Sequence, residues 1–107
     1  MIEIKIPEAI KVGGFDYQIV CNEERDKVLK RQNYIGDSVH YGSEPREISI
    51  SSSLTPQTMS ETITHEFLHC VDAVYNSERC SEGQITGLSN GLLQIFEQLG
   101  IRFVKSQ

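Results

Sequence analysis

The chain has 107 residues, 23% of them charged, and a formal net charge of −5, which suits a single domain with a modest core and a shallow cleft rather than a two-lobed enzyme. No cluster of Lys and Arg supplies the concentrated positive charge that phosphate contacts need, so nucleic acid is not expected as a partner. No apolar run is long enough to cross a bilayer, Met1-Ile2-Glu3-Ile4-Lys5 alternates instead of forming a signal-peptide core, and the odd set Cys21, Cys70 and Cys80 lacks CxxC spacing; these features predict a cytoplasmic protein in a reducing compartment, with no membrane contact.

Ile2-Glu3-Ile4-Lys5-Ile6 has the two-residue period of a half-buried strand, ended by Pro7. Phe15 to Val20 is a second strand candidate, entered through Gly13-Gly14, a pair suited to a tight turn. Together they suggest a hairpin-like N-terminal layer. Asn22, followed by Glu23, Glu24 and Arg25 and then Val28 and Leu29, can open a short helix running to about Arg31. Asp37 to Tyr41 and Glu47 to Ser51 read as short strands separated by the turn-forming Gly42, Ser43, Glu44 and Pro45.

Thr55-Pro56 is a helix start, with Thr as N-cap and Pro at the first helical position, where its missing N–H costs nothing. The helix is expected to run from Pro56 to about Tyr75. Met59, Ile63, Phe67, Cys70 and Val74 form its apolar stripe, and Thr58, Glu61, Thr62, His65, His69, Asp72 and Asn76 lie opposite. Within it, His65-Glu66-Phe67-Leu68-His69 has the spacing HExxH. Residues four apart stack one turn apart on one face, so His65 and His69 can offer their imidazoles to one ion. Glu66 lies about 100° round the helix from His65, an offset that suits a carboxylate reaching a water on the ion without being a ligand. Zinc lowers the pKa of such a water to about 7, and the glutamate accepts its proton as the hydroxide attacks a carbonyl. The same residues also fit a solvated polar face on which two histidines coincide, and periodicity does not separate the two. Cys70 points about 100° away from His69 and reads as a small buried apolar residue.

Ser81 and Gln84 make a capping box, and Ile85, Leu88, Leu92, Ile95 and Leu99 follow as a stripe expected to face the core, ending near Gly100. Extending the stripe back by three residues reaches Glu82, at the helix end nearest the first long helix. Its carboxylate can turn inward as a third metal ligand or simply meet the positive end of the helix dipole. Glu78 in the connecting loop, His40 ahead of the motif and Cys80 between the helices compete for the same role. Asp72, one turn beyond His69, is better placed to orient a ligand than to bind the ion. Asp72 and Tyr75 stand where HExxHxxGxxH requires Gly and His, which excludes the metzincin class.

The motif's flanks follow the habit of zinc peptidases: Thr62 three residues before the first histidine, uncharged Phe67 and Leu68 between the two, Cys70 after the second, and apolar Val71 two beyond it. With Ile48-Ser49-Ile50 and a short linker before the helix, and Ser81-Glu82 opening an amphipathic helix after it, residues 35 to 100 resemble the very small zincin-like metallopeptidases of phages and prophages. These are of stripped-down gluzincin type, related to the peptidases that mobile elements use against their repressors. The resemblance implies His65 and His69 as Zn2+ ligands, Glu82 as the third, Glu66 as general base, and a protein or peptide substrate such as a phage or host regulator. Gly83 and Ser89 depart from the pattern, where relatives tend towards a second acidic residue and Ala. The first departure leaves the ligand register open to Gln84, although an amide is a poor zinc ligand. In zincins the strand before the active-site helix borders the cleft and pairs with extended substrate. Arg46 to Ser51 is the segment for that role here, or else an ordinary strand edge. Tyr41, Tyr34 and His40 are candidates to stabilise the oxyanion.

The expected fold is α+β: a minimal zincin-like domain, a small antiparallel or mixed sheet packed on two long helices, the first carrying HExxH, with one zinc site at their junction. Two functions fit. One is peptide-bond hydrolysis; the other is a catalytically silent, phage-associated binding module whose zinc holds the helices together, since metal binding can supply much of the folding free energy of a small chain.

Overall fold

The computed structural model describes residues 1–42 and 44–106; Ser43, within the expected turn cluster, and Gln107 lie outside the described residues. The element order is β1 (Ile2–Lys5), β2 (Ala9–Val12), β3 (Phe15–Val20), α1 (Glu23–Arg31), β4 (Gly36–Val39), β5 (Arg46–Ile50), α2 (Pro56–Tyr75), α3 (Glu82–Gln98) and β6 (Ile101–Val104). This is an α+β domain with two long helices, one short helix and two sheets.

The N-terminal layer differs from the expected hairpin of residues 2–6 with 15–20. β1 instead pairs in parallel with the C-terminal β6, Ile2 opposite Ile101 and Lys5 opposite Val104. The hairpin is β2 with β3, Val12 opposite Phe15. Its turn needs Gly13 twice over: φ is +60°, and a Cβ would stand 2.7 Å from Val74 Cγ1 of α2. β6 is tied down by the Phe103 N–H, which donates to Ser60 Oγ of α2 at 3.2 Å.

The larger sheet has the order β2-β3-β5-β4, with β3 and β5 parallel and β4 antiparallel to β5. The expectation that Arg46 to Ser51 forms the strand bordering a cleft is therefore corrected: β5 is interior, hydrogen-bonded on both sides, and β4 is the edge. Alternation along β5 divides its neighbours. Ile48 and Ile50 enter the core with Tyr17, Ile19, Met59, Ile63 and Cys70. Glu47 and Ser49 point the other way and accept from Arg25 Nη1 of α1 at 3.0 and 2.7 Å. The two helices α1 and α2 thus flank opposite faces of the sheet. α1 itself is capped by Asn22, whose side chain accepts from the Arg25 N–H at 2.8 Å, and carries Glu23, Glu24 and Asp26 in its first turn and Lys30 and Arg31 in its last, the order that its dipole favours.

α2 buries Met59, Ile63 and Cys70 against the sheet, with Phe67 and Val74 at the margin. Its polar side is partly covered. Thr62, Glu66 and Asp72 are buried and β4 packs against this helix, while His65 and His69 stay part-exposed and Glu61 exposed.

The phase of α3 differs from the expected stripe. Ile85, Ser89 and Leu93 are its buried residues, whereas Leu88 is 58% and Ile95 54% exposed and Leu99 is also exposed. Apolar residues recur at helical spacing along both lines, so spacing alone does not choose between them. The small Ser89 lies on the side that meets α2, where its short side chain leaves room for close approach.

Candidate metal centre and cleft

One turn of α2 separates His65 from His69, whose ring centroids lie 4.8 Å apart with 69° between the planes. Glu82, the first residue of α3, spans the pair: its Oε1 is 2.7 Å from His65 Nε2 and its Oε2 is 3.1 Å from His69 Nε2. One ligand atom from each of the three lies within 4.8 Å of the others, and among the described residues this is the group able to hold a metal ion.

The α2–α3 turn that delivers Glu82 is strained and then secured. Ser77 and Glu78 have φ of 53° and 55°, a left-handed conformation that costs L-residues roughly 1–2 kcal/mol each. Asp72 supplies the compensation. Its carboxylate accepts from Asn76 Nδ2 at 2.8 Å and from the Cys80 N–H at 3.2 Å, and its backbone carbonyl accepts from the N–H groups of Asn76 and Glu78 at 3.0 and 3.1 Å. The Asn76 bond, then those from Cys80, hold the Asp72 carboxyl below its ordinary range. Ser81 and Gln84 close the capping box at 2.8 and 3.1 Å and start α3 with Glu82 facing the histidines.

The other candidate ligands are engaged elsewhere. Asn76 Nδ2 lies 3.4 Å from Cys80 Sγ, Glu78 lies near the Tyr41 hydroxyl and raises its pKa, and His40 bonds Tyr17 and Ser38. Two imidazoles and a carboxylate are donors that zinc accepts, and three protein ligands leave a fourth position open. The Glu82 side chain is 67% exposed and so has room to draw back to coordination distance. Behind His65, Ser89 Oγ donates to the Thr86 carbonyl at 3.1 Å and lies 3.5 Å from His65 Nδ1, on the side of the ring away from Glu82.

Glu66 occupies a different environment from the three cluster residues. It is 6% exposed, and burial pushes its carboxyl up to about 7, assisted by the negative charges of Asp37 and Glu82 and opposed by a hydrogen bond from Ser38. Both Ser38 and Asp37 belong to β4. The strand can approach this closely because position 36 is Gly: a Cβ there would stand 2.5 Å from Thr62 Cγ2 and 3.2 Å from Glu66 Oε2. Gly36→Ala is accordingly expected to destabilise the fold by about 1–3 kcal/mol, the usual cost of overpacking, and to move β4 away from Glu66. Denaturant unfolding of the variant measures this, and an unchanged midpoint would show that the strand yields freely.

The cluster and Glu66 open onto one cleft of about 800 Å3, shared with Tyr34, Asp37, His40 and Glu61 and with no Lys or Arg among its described lining residues. Such a lining favours a cation and disfavours anionic ligands. Of the suggested oxyanion partners, Tyr34 and His40 line this cleft, whereas Tyr41 is 66% exposed and lies outside the lining. Gly36 and Ser38 are the site residues that sequence reasoning missed, and Ser89 appears there only as a departure from a pattern. Gly36 and Ser38 matter through a strand-to-helix approach that leaves no periodic signal. No protein-family model matches this chain, and no curated protein or solved structure is significantly similar to it.

Proposed function

We propose that the chain is a cytoplasmic zinc-dependent peptidase, a minimal zincin-like domain in which His65, His69 and Glu82 hold the ion and Glu66 is the general base. The observation that carries this reading is the pairing of two unlike carboxylates: Glu82 among the histidine nitrogens, and Glu66 buried beside them with its carboxyl near 7. A structural site has no use for the second. Bound zinc would polarise a substrate carbonyl and make an attacking water acidic, with a pKa of about 7. Glu66 would then take that water's proton on its carboxylate and could return it to the leaving amine.

The edge strand β4 gives the cleft a rail. Gly36 to Val39 has β5 on one side only, so an extended peptide can pair with the other side and lie across the cleft above α2. That favours a protein or peptide substrate, and a phage or host regulator is the class that the family resemblance suggests. The test is hydrolysis of a peptide library by the zinc-loaded chain, stopped by a chelator and restored by zinc. Stoichiometric zinc uptake with no cleavage of any library member would favour the silent binding module instead.

A further inference from the structure

The geometry points to β1 as a dimer interface, its free edge pairing antiparallel with β1 of a second copy of this chain. β1 and β6 form a sheet of their own, so among the described residues β1 is hydrogen-bonded on one side only. All of its residues are exposed. An uncovered strand edge of this kind offers its unpaired N–H and C=O groups to another strand. Neither Glu3 nor Lys5 lines the cleft of the metal centre, so the interface is independent of the peptidase reading.

Hydrogen bonds within the chain fix which residues look outward. The Ile2 N–H donates to the Gly100 carbonyl at 2.6 Å and the Ile6 N–H to the Val104 carbonyl at 2.9 Å. In a strand the N–H and C=O of one residue point to the same side, and those of its neighbours to the other. Ile2 and Ile6 therefore face β6, as Ile4 must by the same alternation, and Glu3 and Lys5 aim their backbone groups at the free edge. Side chains alternate too, with the isoleucines on one face of the sheet and Glu3 and Lys5 on the other. Among the described residues neither Glu3 nor Lys5 has an ion-pair partner.

This edge is complementary to itself. Turned about Ile4, the run Ile2-Glu3-Ile4-Lys5-Ile6 sets Glu3 against Lys5 of the second copy and Lys5 against its Glu3, as the pairs whose backbones exchange both N–H···O bonds. Ile4 meets Ile4 on the twofold axis and Ile2 meets Ile6, in the non-bonded pairs where side chains come closest. Opposite charges directly across from each other favour this register, and like charges oppose the alternatives. A slip of two residues sets Glu3 against Glu3 in one direction and Lys5 against Lys5 in the other. A slip of one would place outward-facing backbone groups against inward-facing ones. The arrangement is closed by its twofold axis and stops at a dimer.

The same pairing would cover apolar surface that the single chain leaves bare. Ile4 lies opposite Phe103, whose ring packs on Phe67 of α2 and Phe96 of α3. β1 itself makes its main packing contacts with β6, and Ile2 and Ile4 remain 63% and 40% exposed. In the dimer they join one continuous row of isoleucines across both copies. A contact between two such short strands is small against the ~1,200 Å2 of a standard interface, so the association is reversible and depends on concentration.

Sedimentation velocity on the full chain, from low micromolar to millimolar concentration, tests this. The parent should pass from monomer to dimer. Glu3→Lys and Lys5→Glu each turn both attractive pairs into like-charge pairs and should raise the dimer dissociation constant at least about tenfold. Both positions are exposed, so the fold is not at stake. An equimolar mixture of the two variants should recover a dimer containing one chain of each, and the double exchange within one chain should dimerise like the parent. A parent that stays monomeric at millimolar concentration would overturn the proposal. So would a single variant that dimerises as the parent does, which would place the contact elsewhere, or a mixture no more associated than either variant alone.

Discussion

Glu66→Gln is expected to reduce peptide hydrolysis by about 10²–10⁴-fold, the range ordinarily lost with a general base, while zinc uptake stays at one ion per chain. The amide keeps the shape of the side chain and cannot take a proton. Glu66 makes none of the contacts within the His65, His69 and Glu82 cluster, so the ion's donors survive the change. A variant that still turned over at the parental rate would remove Glu66 from the mechanism.

The same substitution has a second, opposite signature in stability. Burial lifts the Glu66 carboxyl from 4.5 to about 7 in the folded, metal-free chain. An acid with a raised folded pKa binds more protons when folded than when unfolded, between the two values. Its contribution is therefore most favourable below about 4.5, declines as the pH rises to about 7, and is level beyond. A shift of this size corresponds to about 3 kcal/mol. Glu66→Gln should abolish that slope, so that above pH 7 the metal-free variant equals or exceeds the metal-free parent in stability, although the zinc-loaded variant hydrolyses peptide far more slowly. Denaturant unfolding across this pH range decides the matter, and parallel parent and variant curves would mean that the carboxyl is solvated. The two outcomes together would be the stability–activity trade-off expected of a buried general base.

Local chemistry in the sequence located much of this site. Thr55-Pro56 starts α2 where expected, and the helix ends at Tyr75, because caps and proline act within one turn. The Ser81 and Gln84 box likewise starts α3. Glu82 meets the histidines although the stripe used to reach it is partly turned outward. Ile85 lies on both the expected line and the buried one, so stepping back three residues from it reaches the same carboxylate. Other features depend on contacts between distant segments. β1 finds its partner about a hundred residues away, β6 is half-buried throughout and shows no alternation of burial, and β4 rather than β5 becomes the edge only once pairing is known. The environment of Glu66 belongs to the same class: nothing at positions 36 and 38 announces that a glycine and a serine will be pressed against a helix some thirty residues later.

Zinc added to the metal-free chain is expected to raise its melting temperature steeply. Saturation at a hundred times the dissociation constant stabilises the folded state by about 2.7 kcal/mol, which for a domain of this length is roughly 10–20 °C. The rise should depend on the three donors unequally. His65 and His69 are fixed by one helix, less than a third of each side chain is exposed, and loss of either leaves a helix face with a single imidazole. Glu82 is the exposed partner, so its ordering costs more conformational entropy and its net contribution is smaller. His65→Ala and His69→Ala should therefore abolish the zinc-dependent rise, and Glu82→Ala should reduce it substantially without abolishing it. Asp72→Ala leaves every donor in place and loosens the turn that aims Glu82, so it should weaken zinc binding in the same direction as Glu82→Ala, with little further loss when the two are combined. Full additivity in that double variant would show that Asp72 acts elsewhere. An unchanged rise in Glu82→Ala would move the third ligand to Glu78, His40 or Cys80, and an unchanged rise in all the histidine variants would end the case for a metal at this site.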